Sequence, residues 1–335
     1  MKRLLLNIAV LATPLILPSQ ATAAVFSKIY SFGDSLSDTG KVFTASKGSF
    51  PPSAPNGHYY QGRFSNGPVW VEYLQNKLKI PLVNFAYGGA TTGKGNIASG
   101  FIRGVLGLQQ QIATFVASNA VADPKALYTI WIGANDYLPP PSNLYLSFNQ
   151  NTPDIPLNNI ATAVNTLVGK GAKTIMVLNL PNLGTIPQTK SLNADGVCPP
   201  NIEAAADADC LNQLTEAHNK GLSNLFSSLR ADVKIIQVDV NQMSKNILSN
   251  PAEYGFTNVT DPCFTSNSIC SNPDNYLSWD GTHPTTKGHR LIGESAFNAL
   301  AVPEPLTILG TSTALFFGAF FKKEIVQQRQ QNKSN

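Results

Sequence analysis

Residues 32–40 read "FGDSLSDTG", directly after the short apolar run "KIYS" at 28–31. The apolar run reads as a buried strand, and Gly33-Asp34-Ser35 as the turn that leaves it. A serine in that place has two readings. It is a turn residue, with Asp34 and Asp38 capping the helix that follows, or it is a nucleophile held at the carboxyl end of a strand. The rest of the chain decides between them.

Apolar runs of the same kind recur at 80–86 ("IPLVNFA"), 126–133 ("ALYTIWIG"), 172–180 ("AKTIMVLNL") and 233–240 ("VKIIQVDV"). Helical patterns lie between them, over 67–78, 106–118, 156–171 and 207–230. In the last of these, Leu211, Leu214, His218, Leu222 and Leu225 fall on one face at helical spacing. Helices alternating with apolar strands predict βαβ units, hence an α/β protein with a parallel, doubly wound sheet covered on both faces. No repeat and no linker interrupts the chain before Pro303, so residues 24–302 are read as one domain. Ligands of such sheets sit outside the carboxyl ends of the strands. Ser35, Gly88-Gly89 and Gly133-Ala134-Asn135-Asp136 all fall just past predicted strand ends. A decorative turn serine has no reason to share an edge with two other polar, glycine-bearing loops.

Ester cleavage by nucleophilic attack needs a hydroxyl, a base to take its proton, a group to orient that base, and donors for the developing oxyanion. Ser35 supplies the hydroxyl. Near the far end, "SWDGTHP" (278–284) carries Asp280 and His283 three positions apart. In such a turn the carboxylate accepts from one imidazole nitrogen and the other nitrogen is free to serve Ser35 as general base. For the oxyanion, the backbone N–H of Ser35, that of Gly89 and the Asn135 amide are the candidate donors, with Gly88 an adjacent rival. Asp34 and Asp136 read as hydrogen-bonding braces of their loops. His58, His218 and His289 are scattered and read as structural; no metal site is expected.

Four blocks in this order, "FGDSLSDTG", "NFAYGGAT" (84–91), "IGAND" (132–136) and "DGTHP" (280–284), resemble those of the GDSL or SGNH hydrolases. "GRFSNGPVWVEYL" (62–74) is similar to a further stretch of that family's lipase-like acylhydrolase branch. The resemblance implies a serine esterase or lipase with Ser35, Asp280 and His283 as triad, Ser35, Gly89 and Asn135 as oxyanion donors, and no cofactor. It implies a three-layer α/β/α sandwich with a mainly parallel, flavodoxin-like sheet. The G-x-S-x-G elbow of the α/β-hydrolases is absent, since Ser35 sits in G-D-S-L. The same machinery serves an acyltransferase or a polysaccharide acetylesterase, and a catalytically silent surface-displayed binding protein is the alternative of another class.

Charged residues make up 13% of the 335-residue chain, beside 25 glycines and 23 prolines. The net charge of +4 comes from the two ends, which leaves residues 24–302 neutral and gives nucleic acid or an anionic membrane no electrostatic foothold. Lys2-Arg3, an apolar run to Leu17 and Ala21-Thr22-Ala23 have the layout of a signal peptide over residues 1–23. Residues 303–335 place Pro303-Glu304-Pro305 before an apolar run, Leu306 to Phe321, and then Lys322-Lys323. That run would make about 24 Å of helix, short of the ~30 Å hydrocarbon core. The tail resembles the PEP-CTERM sorting signal, which implies membrane contact through the tail alone and an exosortase as processing partner. Export is therefore expected, and local disulfides Cys198–Cys210 and Cys263–Cys270 fit it, short loops being the cheapest to close.

Two Pro- and Asn-rich insertions, 41–64 and 137–156, follow the first and third blocks. Long loops of this kind carry selectivity. Phe50, Tyr59, Tyr60, Tyr137, Leu144 and Tyr145 are the expected lining of a substrate pocket, and Trp131 and Trp279 are expected to pack beside the site.

Overall fold

The computed structural model describes residues 26–53, 57–138, 152–190, 192, 207–227, 232–266 and 268–301. Leu144, Tyr145, Cys198, the expected signal peptide and the expected sorting tail lie outside the described residues. The chain divides into a unit spanning Val25–Leu300 and a unit made of Met1–Ala24 with Ala301–Asn335.

Within Val25–Leu300 five strands pair in parallel: β1 (Ile29–Gly33), β2 (Leu82–Asn84), β3 (Leu127–Trp131), β4 (Thr174–Leu178) and β5 (Lys234–Val238). Their order is β2-β1-β3-β4-β5. The chain leaves β1 for one edge and returns on its other side as β3, so the order reverses at β1. This flavodoxin-like reversal opens a crevice beyond the carboxyl ends of β1 and β3. Gly33 pairs with Trp131 at that end, so Ser35 and Asn135 leave the sheet as neighbours.

Side chains alternate across the sheet and define the layers. Tyr30 and Phe32 of β1, Tyr128 and Ile130 of β3, and Ile175 and Val177 of β4 pack on helices α3 (Leu108–Ser118), α5 (Asp154–Gly169) and α6 (Ala208–Ser227). Ile29, Leu127, Trp131, Met176 and Val238 face α2 (Trp70–Leu78) and the C-terminal helix α8 (Thr286–Ala301). This is the expected three-layer sandwich. The Phe115 ring stands edge-on to Tyr30 at 5.0 Å and to Tyr128 at 5.7 Å. Truncating a buried phenylalanine of this kind typically costs about 3–5 kcal/mol.

Three short features depart from the sequence reading. The apolar run 233–240 is not one strand: β5 stops at Val238 and α7 (Val240–Ser249) begins at once, because the Asp239 carboxylate accepts the Gln242 N–H at 2.9 Å and caps the helix. A small ribbon of β6 (Asn258–Pro262) and β7 (Tyr276–Ser278) follows. It brackets the loop in which Cys263 and Cys270 are joined, and its end delivers the Asp280 turn. Helices α1 (Lys41–Ala45) and α4 (Ala134–Tyr137) are single turns after β1 and β3.

Candidate active site

The turn after β1 is held from inside the fold. Buried Gln111 of α3 accepts the Gly33 N–H at 3.0 Å and donates to the Gly33 carbonyl at 2.8 Å. A Cβ at Gly33 would stand 2.4 Å from the Trp131 carbonyl oxygen, so only glycine lets the two strand ends approach. The buried Asp34 carboxylate accepts the Leu36 N–H through one oxygen, and its other oxygen has no partner among the described residues. Asp38 takes the N–H groups of Gly40, Lys41 and Val42 and that of Gly88. It caps α1 and ties the β2 loop to the serine turn.

Between them Ser35 presents its hydroxyl. Its Oγ lies 2.9 Å from His283 Nε2, and His283 Nδ1 lies 2.8 Å from Asp280 Oδ2. The Asp280 carboxylate also accepts the backbone N–H groups of Thr282 and His283, at 2.8 and 2.7 Å, and the Tyr59 hydroxyl at 2.8 Å. Burial pushes this carboxyl up, but the neighbouring His283 and the donated hydrogen bonds outweigh it and hold it below the ordinary aspartate value. An ionised, acceptor-only carboxylate fixes Nδ1 as the protonated nitrogen and leaves Nε2 to accept the serine proton.

The stretch 62–68 clamps this loop. Ser65 Oγ donates to the Pro284 carbonyl at 2.9 Å, Asn66 Oδ1 accepts the Thr286 N–H at 2.8 Å, and the Phe64 ring packs 5.2 Å from the His283 ring. Glu72 accepts the Val69 N–H and pairs with Arg63, anchoring the start of α2 behind it.

The oxyanion candidates separate by their own bonds. The Gly88 N–H is spent on Asp38 at 2.8 Å. Gly89 sits at φ +77° with no acceptor for its N–H among the described residues, and a Cβ there would stand 2.8 Å from Asn96 Oδ1 and Ile97 Cγ1. Asn135 donates one amide hydrogen to the Ala90 carbonyl at 2.9 Å, which links its loop to the Gly89 loop, and its second hydrogen has no acceptor among the described residues. Asp136 braces the same junction through Thr92, accepting its N–H at 2.9 Å and its hydroxyl at 2.7 Å.

The substrate-pocket expectation fares differently. An apolar cavity of about 90 Å³ borders Ser35 and Asn135, and its walls come from α7, α8 and the loops after β3 and β4. None of Phe50, Tyr59, Tyr60 and Tyr137 lines it. Tyr59 is bound to Asp280, and Phe50 stacks edge-on against Phe64 and Phe101. Tyr60 lies under Arg63, and Tyr137 is buried with its hydroxyl 2.8 Å from His218 Nδ1. The walls of this cavity include Val240, Met243 and Ile247, which the sequence reading does not single out. Their spacing after a capping aspartate was the available signal. Trp131 does border the cavity; Trp279 stacks on Phe264 at 5.5 Å. His289 is buried, its Nδ1 3.4 Å from the Trp70 nitrogen, and burial pushes it down to about 3. Burial likewise takes His218 to about 4. Both are neutral interior residues. Among the described residues no cluster of three or more His, Cys, Asp or Glu is placed to hold a metal ion.

A hydroxyl, an imidazole and a carboxylate thus stand in one hydrogen-bonded line at a parallel sheet's switch point, beside a Gly89 N–H that has no acceptor among the described residues. Residues 29–296 match the profile of the GDSL-like Lipase/Acylhydrolase family, and the chain belongs to that family. It is 33% identical over 245 residues to the phosphatidylcholine-sterol acyltransferase of Aeromonas hydrophila, covering 71% of this chain and 66% of that protein. It is 29% identical over 288 residues to the thermolabile hemolysin of Vibrio parahaemolyticus, covering 80% and 62%. A GDSL esterase/lipase of Arabidopsis thaliana is 27% identical over 321 residues, covering 80% and 81%. The match spans just under two thirds of the length of the two bacterial relatives. Among the described residues no helix is long and apolar enough to cross a membrane.

Proposed function

We propose that this chain is an exported serine ester hydrolase working through an acyl-enzyme. The observation that carries the reading is the unbroken line from Ser35 Oγ through both nitrogens of His283 to Asp280. His283 Nε2 takes the Ser35 proton as Oγ bonds to the ester carbonyl carbon. The carbonyl oxygen becomes the oxyanion and is met by the N–H groups of Ser35 and Gly89 and the free amide hydrogen of Asn135. His283 then gives its proton to the departing alkoxide. Water, deprotonated by the same nitrogen, attacks the acyl-enzyme and releases the acid. Asp280 stays ionised and stabilises the imidazolium.

Export rests on the residue pattern of 1–23, and retention in the envelope, with exosortase processing, on that of 303–335. A second reading, transfer of the acyl group to an alcohol other than water, is favoured by the name of the Aeromonas relative. Ser35→Ala tests the common step. Among the described residues its only side-chain bond is to His283, so the variant keeps its fold and loses ester turnover by at least about a thousandfold. Retained turnover refutes the mechanism. Product analysis with an added alcohol separates hydrolysis from transfer.

A further inference from the structure

The α4 turn that carries Asn135 is bonded to two different elements. Asn135 and Asp136 reach the loop after β2, through Ala90 and Thr92, and so tie the two candidate oxyanion loops to each other. The next residue, Tyr137, reaches α6 instead: its hydroxyl lies 2.8 Å from His218 Nδ1, and both side chains are buried. The His218 ring also covers Gly133, where φ is +127° and a Cβ would stand 3.2 Å from Cε1. One imidazole therefore meets the turn at both of its ends, with Asn135 between them. The support behind it is firm. Asn219, the next residue of α6, accepts the Leu180 N–H at 3.0 Å and donates to the Leu180 carbonyl at 2.9 Å. Leu211 and Leu214 of the same helix share a buried cluster with Ala134 and Tyr137. Burial takes His218 to about 4 and pushes the Tyr137 hydroxyl up, so at neutral pH the bond joins two uncharged groups. Such a pair has no charge to lend to an oxyanion; what it supplies is position.

We infer that Tyr137 and His218 are positioning residues of the oxyanion site: their bond sets the α4 turn so that the Asn135 amide meets the ester's carbonyl oxygen as charge develops on it. The inference rests on the ester-hydrolase reading above and adds two residues, 81 positions apart, that the mechanism does not use. An oxyanion donor acts on the transition state, so its misplacement lowers kcat and leaves KM little changed. A shift of about 1 Å in such a group costs up to about a hundredfold in rate.

The test is a double-mutant cycle on the full chain, read as kcat and KM for p-nitrophenyl acetate. Tyr137→Phe keeps the ring, which stands edge-on to His218 at 5.6 Å, and removes only the hydroxyl. It lowers kcat about tenfold with KM within about twofold. In the Asn135→Ala background no amide is left to position, and the same substitution changes kcat by less than about twofold. His218→Leu follows the same pattern, and His218→Asn, which can still accept the tyrosine hydroxyl, recovers part of the loss. A purely structural role lowers the folded fraction and cuts kcat by one factor in both backgrounds. Equal losses in the two backgrounds, or a Tyr137→Phe enzyme with the kcat of the wild type, overturn the positioning role and leave the hydrolase reading in place. Absence of any Ser35-dependent hydrolysis overturns both.

Discussion

Ser35 Oγ and His283 Nε2 lie 2.9 Å apart although 248 positions separate them in the chain. Two independent supports bring them together. Gln111 and Trp131 fix where β1 releases the serine, and residues 64–66 fix where the last turn before α8 releases the histidine. The two supports use different bonds, and each can be tested by its own substitution.

The hydrogen bond from Tyr59 to Asp280 is the first test. Asp280→Asn replaces an acceptor by an amide that disfavours the required imidazole tautomer and lowers kcat by about 10⁴. Tyr59→Phe keeps the ring against Phe264 and Trp279 and removes one charge-assisted bond, usually about 1.5–3 kcal/mol. Its expected effect is a tenfold to hundredfold loss in kcat with KM little changed. Steady-state kinetics on a soluble ester checks both. A Tyr59→Phe enzyme altered only in KM would return Tyr59 to the substrate pocket.

The oxyanion donors differ in what their loss damages. Asn135→Ala removes a side-chain donor and is expected to lower kcat by 10²–10³, about 2.7–4 kcal/mol of transition-state stabilisation. Gly89→Ala keeps the N–H but forces a Cβ against Asn96 and Ile97 at a left-handed φ, so it lowers stability as well, by about 1–3 kcal/mol. Denaturant melts beside kinetics separate the two. Equal melts for Gly89→Ala and the wild type contradict the packing account.

Gln111, fully buried, holds the serine turn through both polar groups of Gly33. Gln111→Leu leaves the buried Gly33 N–H unpaired, at a cost of about 1–3 kcal/mol. The urea midpoint falls at unchanged m-value. A midpoint equal to that of the wild type shows that the clamp is dispensable.

Much of this arrangement was legible in the sequence. The five strands are local apolar runs, and the polar residues after them are local as well, so the sheet and the four blocks could be read directly. Asp280 and His283 are three residues apart, and their pairing follows from one turn. What was hidden depends on distant partners. Tyr59 reaches Asp280 across 221 positions, and Tyr137 reaches His218 across 81; nothing in an aromatic-rich loop says which rings turn inward. Helix α7 was concealed because Val240 follows β5 after one residue, so strand and helix read as one apolar run.

The buried carboxyls predict the direction of pH dependence. Burial raises Asp34 to about 7 and Asp136 to about 6, against 3.8 for an ordinary aspartate. In the unfolded chain these protons leave first. The two groups therefore favour the folded state below about pH 4, and that contribution is lost as pH rises through 6 and 7. Asp280 runs the other way, since its carboxyl is held low and its contribution is lost only below about pH 4. Buried His218 and His289, held low, pull the opposite way over the same range, so the test is the difference between wild type and Asp34→Asn, in which the wild-type midpoint should lose ground to the variant from pH 4 to pH 7. A slope unaltered by that substitution contradicts the assignment.

In the proposed mechanism one serine is activated by one histidine. The direct measurement is mass-spectrometric mapping of the adduct formed by a fluorophosphonate on the folded full chain. A single adduct on Ser35 that disappears in His283→Ala is expected. An adduct on another serine, or a folded chain that takes no label, contradicts it.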